Sequence, residues 1–100
     1  MVDFKKYKMF INGEWVDSES GKTFETLNPE NNKPWAIVPE ASAKDVDKAV
    51  KSAQKAFGGE WSKLLPRERG KFLRAIGDKL RDNAEHLGKI ETLDTGKLYR

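Results

Sequence analysis

Glu91 and Asp94, three residues apart in the run ETLDTGK, are the titratable pair best spaced for joint work, because side chains at i and i+3 share a helix face. Two carboxylates on one face are what a general acid–base dyad needs, though helix surfaces carry such pairs routinely. Asp45 and Asp47 stand two apart, on different sides of a helix, and make no such pair. His86 is the sole histidine and there is no cysteine. Disulfides, thiolate zinc sites and a cysteine nucleophile are therefore excluded within these residues, and a lone imidazole reads as a solvated or structural group, not a metal ligand. The glycines at 13, 21, 58, 59, 70, 77, 88 and 96 form neither GxGxxG nor GxxxxGK followed by Ser or Thr, so the sequence holds no phosphate cradle. Trp15, Trp35 and Trp61 offer a stacking platform for bases or sugars, or ordinary packing. In the packing reading, which is preferred, Trp35 fills a core, Trp15 covers a hairpin face and Trp61 lies beneath the start of a helix. No complete catalytic constellation is present.

The elements that would position these residues change character near residue 40. In MFINGEWV, Asn12-Gly13 separates two β-rich runs, and the central positions of a type I′ turn need the positive φ that Asn and Gly tolerate. After the polar cluster DSESGK, TFETL alternates Phe24 and Thr26 against Thr23, Glu25 and Leu27. NPENNKP, whose prolines lack backbone donors, leads to WAIV, a short apolar strand closed by Pro39. Two successive hairpins are expected over residues 1–40, and hairpins are marginal in water without a third strand or a larger sheet.

From Ser42 the period becomes helical. Ser42 with Asp45 resembles a capping box with Asp in place of Glu or Gln. Val46, Ala49, Val50, Ala53, Ala56 and Phe57 then form one stripe of a helix over 42–58, ended by Gly58-Gly59. Pro66 suits a first helical position, and Phe72, Leu73, Ile76 and Leu80 make the buried stripe that follows. Gly70 and Gly77 weaken that helix by roughly 1 kcal/mol each relative to Ala, which suggests close packing against them. Asn83 is expected to cap a third helix carrying Ala84, Leu87, Ile90 and Leu93 and ending at Gly96, a separate helix or a kinked continuation of the second, so that helices fill residues 66–96.

Composition bounds the function. A chain of 100 residues is one domain's worth, and 37% apolar with 35% charged residues excludes a disordered chain. Residues 1–50 hold 7 Lys against 9 Asp and Glu, while residues 51–100 hold 12 Lys and Arg against 7. A basic half invites nucleic acid, but Arg67, Arg69, Lys71, Arg74 and Arg81 alternate with Glu68, Asp78 and Asp82, as a solvated helix face does. No run approaches the length of a membrane span, and MVDFKKYKMF lacks the apolar stretch of a secretory signal. A cytoplasmic protein with no nucleic-acid or membrane partner is expected. Lys97-Leu98-Tyr99-Arg100 begins something beyond the Gly96 stop, and the chain is read as the opening of something larger. Taken alone the layout is a small α+β arrangement, and a free-standing, non-catalytic interaction module is the alternative.

FINGEWVDSESGKTFETLNPENNKPWAIVPEASAKDVDKAVKSAQKAF, followed by Trp61 and by LPRERGKFLRAIGDKLRDNAEHLGKIETLDTGK, covers Phe10 to Lys97. It closely resembles the amino-terminal segment of NAD(P)-dependent aldehyde dehydrogenases, most of all the betaine-aldehyde and broad-specificity branch. The ING-W hairpin, the NP turn, D-V-D-x-A-V, P-x-E-R and ETLDTGK are each weak alone and specific in this order. The resemblance implies an α/β fold, with residues 1–100 an incomplete amino-terminal part of a Rossmann-type coenzyme-binding domain. It implies oxidation of an aldehyde to a carboxylate with NAD or NADP through a cysteine thiohemiacetal and thioester. The catalytic and coenzyme-binding residues would lie outside this chain, and the enzyme would be a homodimer or homotetramer. These 100 residues alone are expected to be inactive. Some members bind K⁺ or Na⁺ through backbone oxygens beside the NP turn and the aspartate of LDTGK, which implies Thr26, Leu27 and Asp94 here. An acid in the last turn of a helix is electrostatically disfavoured, so Asp94 is expected to have a positive partner, a cation or Lys97.

Overall fold

A computed structural model describes residues 5–99. Residues 1–4 and 100 lie outside the described residues, and with them the ends of the expected domain 1–100 and the first residues of the start read as no signal. Among the described residues five strands precede four helices: β1 (Lys5–Lys6), β2 (Met9–Ile11), β3 (Glu14–Val16), β4 (Thr23–Asn28), β5 (Lys33–Pro39), α1 (Ala43–Gly58), α2 (Glu60–Lys63), α3 (Pro66–Asp82) and α4 (Ala84–Thr95).

The first hairpin pairs β2 with β3, Phe10 opposite Trp15 and Ile11 opposite Glu14. Its two-residue turn holds Asn12 at φ 53° and Gly13 at φ 77°, the positive values the primed turns require. The second hairpin pairs β4 with β5 and carries a bulge. Thr26 lies opposite Ala36 and Leu27 opposite Pro34, leaving Trp35 without a partner. β5 is longer than WAIV suggested, because Pro34 and Pro39 are accommodated near its ends, where fewer ladder donors are missed. The second hairpin gains a third strand in β1, which adds parallel to β5 with Lys5 opposite Ala36, giving the order β1-β5-β4, while β2 and β3 form a separate two-stranded sheet. Nothing in the sequence singled out Lys5-Lys6, since a two-residue pairing has no period to read. Trp35 and Ala36, on this central strand, are the buried apolar residues among those described.

Ser42 caps α1, and its capping box with Asp45 is complete. Asp45 does more than the box required: both of its carboxylate oxygens also accept the Glu19 backbone N–H, at 3.2 Å each, tying α1 to the loop after β3. The stretch after Gly59 makes the single turn α2, with the Ser62 hydroxyl donating to the Gly59 carbonyl at 2.7 Å. Pro66 opens α3, and the Glu68 carboxylate accepts the Leu65 N–H at 3.1 Å. Asn83 alone separates α3 from α4. It holds the N-cap position of α4, as expected, with its carbonyl accepting the Leu87 N–H at 2.9 Å, but its side chain makes no cap bond there and instead donates back to the Lys79 carbonyl at 2.9 Å. Gly96 stops α4 in the left-handed conformation at φ 77°.

The assembly is an open slab of 48 × 37 × 17 Å with a radius of gyration of 17.0 Å, against about 13 Å for a compact chain of this length. The helix stripes explain the difference. Val46, Val50 and Phe57 on α1, and Phe72, Leu73, Ile76 and Leu80 on α3, are about half or more exposed. Added Cβ atoms at Gly70 and Gly77 would meet nothing within 4 Å. The close neighbour expected for these glycines is absent among the described residues.

Candidate functional site

A cleft of about 750 Å³ lies between the three-stranded sheet and α4. β4 supplies Thr26, the β5 bulge supplies Trp35, and the last turn of α4 supplies Asp94. The approach is set locally. Gly96 packs so tightly on the turn of the second hairpin that a Cβ there would come within 3.1 Å of Pro29 Cγ. That contact brings the end of α4 down onto β4.

The Thr26 hydroxyl donates to Asp94 Oδ1. The Trp35 indole N–H donates to the same oxygen at 3.3 Å. Both described donors therefore engage Oδ1, and no hydrogen bond among the described residues reaches Oδ2. Leu27 is the next residue along β4, and its side chain is exposed. Of the two partners expected for Asp94, Lys97 is engaged elsewhere: its ammonium lies 3.6 Å from Glu91 Oε1. Glu91 and Asp94 both line the cleft, but one is held by an ammonium and the other by two neutral donors, so they do not act as a dyad.

The local electrostatics favour a cation. The last turn of α4 contains no basic residue, and the unpaired carbonyls of a helix end carry partial negative charge. An acidic side chain in that turn adds to the same sign. Asp94 and the Thr26 and Leu27 backbone are the ligands the resemblance implies, and carboxylate and carbonyl oxygens are the donor chemistry that hard cations such as K⁺ or Na⁺ take. The arrangement can hold a charge.

The other candidates resolve into structure. Among the described residues no group of three or more His, Cys, Asp or Glu is placed to hold a metal, and His86 lines a shallow apolar groove with Phe72, Ile76, Leu80 and Leu87. Trp15 lies on Phe10 at 4.8 Å between ring centres and Trp61 on Phe72 at 5.6 Å, each pairing a tryptophan with its neighbouring element. Trp35 meets the Tyr7 ring edge-on at 6.2 Å. Reading Trp35 as core filling located its ring and missed its N–H. A buried indole needs an acceptor, but the bulge that aims it at Asp94 leaves no mark in the sequence. Asp45 is held below the ordinary carboxylate range, first by the Ser42 backbone N–H, with the Ser42 hydroxyl and the Glu19 amide adding to it against the opposing effect of burial. Its role is to cap and to tie. Among the described residues no helix is long and apolar enough to cross a membrane.

Comparison with known proteins bears on what this frame belongs to. Residues 15–100 match the model of the aldehyde dehydrogenase family. An aldehyde dehydrogenase of Aspergillus niger is 51% identical over 89 residues, which are 89% of this chain and 18% of that protein. The mitochondrial 10-formyltetrahydrofolate dehydrogenase of Homo sapiens is 45% identical over 93% of this chain and 10% of its own length. Among solved structures, a point mutant of an aldehyde dehydrogenase from Bacillus cereus superposes with a TM-score of 0.90 at 43% identity, over 95% of this chain and 20% of that one. A betaine aldehyde dehydrogenase from Staphylococcus aureus, solved in complex with NAD⁺, gives 0.87 at 41% identity over 92% and 19%. The mixed α/β frame of strands followed by helices is thus similar to the amino-terminal part of those structures. The chain spans a fifth or less of the length of each of these relatives.

Proposed function

The chain belongs to the aldehyde dehydrogenase family, and from that premise we propose that it is the amino-terminal part of the coenzyme-binding domain of an enzyme that oxidises an aldehyde to a carboxylate. The reaction transfers a hydride from a thiohemiacetal to the nicotinamide of NAD or NADP, and water then hydrolyses the resulting thioester. The sulfur must come from outside these residues, because they contain no cysteine. The role of this segment is to scaffold the domain. The observation that carries the reading is the agreement of fold and sequence over nearly the whole chain, a TM-score of 0.90 at 43% identity. The exposed stripes of α1 and α3 support it, since they are the faces on which the rest of such a domain would close. A free-standing module would have to bury them within itself, and an open slab of 48 × 37 × 17 Å does not.

The reading extends to Thr26, Leu27 and Asp94 as ligands of K⁺ or Na⁺, supported by the acidic, lysine-free last turn of α4. It makes the enzyme a cytoplasmic homodimer or homotetramer. The test is aldehyde-dependent formation of NADH or NADPH by the full-length protein, with the 100-residue chain as the control. Turnover by the former and none by the latter is expected; a full-length protein that reduces neither coenzyme with any aldehyde would falsify the proposal. Native mass checks the oligomer.

A further inference from the structure

Trp35 occupies the one bulge position of β5 and is only 7% exposed, yet its polar edge points out of the core to Asp94 Oδ1. A bulge re-aims a side chain at the cost of a ladder pair. Here it directs the N–H of a buried indole to an acid that comes from 59 residues further along the chain. Thr26 donates to the same oxygen from the other strand. Two donors on one oxygen restrict the rotation of the carboxylate about its last bond and leave Oδ2 with no hydrogen bond among the described residues.

We infer that Trp35 is a positioning residue of the cation site: its N–H, together with the Thr26 hydroxyl, holds Asp94 so that Oδ2, of its two carboxylate oxygens, is the one that binds a monovalent cation. The inference rests on the cation reading of the preceding subsection. Hydrogen bonds to charged groups are among the stronger ones in proteins, and groups that orient a metal's ligands often matter for affinity nearly as much as the ligands themselves. Removing the N–H while keeping an aromatic ring therefore weakens K⁺ or Na⁺ binding about tenfold. Removing the Asp94 charge abolishes it.

The test uses the full-length protein in choline chloride at constant ionic strength, titrated with KCl or NaCl. Thermal shift and the indole N–H resonance of Trp35 are followed, and wild type, Trp35→Phe and Asp94→Asn are compared. A wild-type response lost in Asp94→Asn and shifted about tenfold to higher salt in Trp35→Phe, with the Trp35 resonance moving along the titration, is the expected result. Because a phenyl ring leaves part of the indole volume empty, benzothienylalanine at position 35, isosteric but without the N–H, serves where Trp35→Phe does not fold. A folded position-35 variant with the wild-type midpoint, or an unmoved Trp35 resonance beside an Asp94-dependent response, overturns the role of Trp35 and leaves the cation reading standing. A wild-type protein that responds to neither ion overturns the cation reading, and the inference with it.

Discussion

Asp45 shows how one side chain can do work that its local motif only half announces. The capping box needs it to reach the Ser42 N–H, which it does at 2.8 Å, but the same carboxylate also takes the Glu19 amide. The first contact was legible because it spans three residues; the second spans 26 and left no sequence trace. The lowered pKa of Asp45 fixes the sign of its pH dependence. A group whose folded pKa is depressed stabilises the fold above its unfolded value, and that contribution is lost as pH falls through the folded one. Asp45→Asn is therefore expected to destabilise most at neutral pH, with the difference from wild type shrinking as pH drops below the ordinary value of 3.8. Urea melts of both proteins across that range, with amide exchange at Glu19 as the local probe, check it. Gly96 is the second residue whose identity is dictated. Its φ of 77° and the proximity of Pro29 Cγ both reject a side chain, so Gly96→Ala is expected to cost at least about 1 kcal/mol and to loosen α4 from β4. A melting temperature equal to wild type would show that neither constraint matters.

At the level of elements, the signals that predicted best were short and steric. Asn12-Gly13 specified a two-residue primed turn and fixed the β2–β3 register, while Pro66 and Ser42 marked where α3 and α1 begin. Gly13→Ala, at φ 77° in open space, tests the backbone cost alone, expected near 1 kcal/mol. What escaped was whatever lacks a period or depends on distant partners: the two-residue β1, the one-turn α2, the β5 bulge and the true bonding of Asn83. The glycines of α3 make an element-scale prediction of their own. With nothing near Gly70 or Gly77, Gly70→Ala and Gly77→Ala in the 100-residue chain should each favour α3 by about 1 kcal/mol, read as a gain in helical circular dichroism. If the full-length protein loses stability on the same changes, another segment packs against those glycines there.

For the whole molecule, the amphipathic stripes of α1 and α3 are the deciding feature. Each was recognisable from spacing as a face meant for burial, and in this chain each remains open. The 100-residue chain is accordingly expected to bind an apolar fluorescent dye and to melt over a broad range. A sharp melt with no dye uptake would count against its place as part of a larger domain. Local chemistry in the sequence determined the hairpin turn, the helix starts and stops, and which faces are apolar, because each follows from sterics or periodicity within a few residues. The ordered motifs from the NP turn to LDTGK also determined the family. Only the tertiary structure decided that Trp35 sits on a bulge, that Thr26 and Trp35 meet Asp94 on a single oxygen, and that Lys97 pairs with Glu91. Those contacts join residues up to 68 apart, and the longest of them depend on where a strand bulges and where a helix end comes to rest.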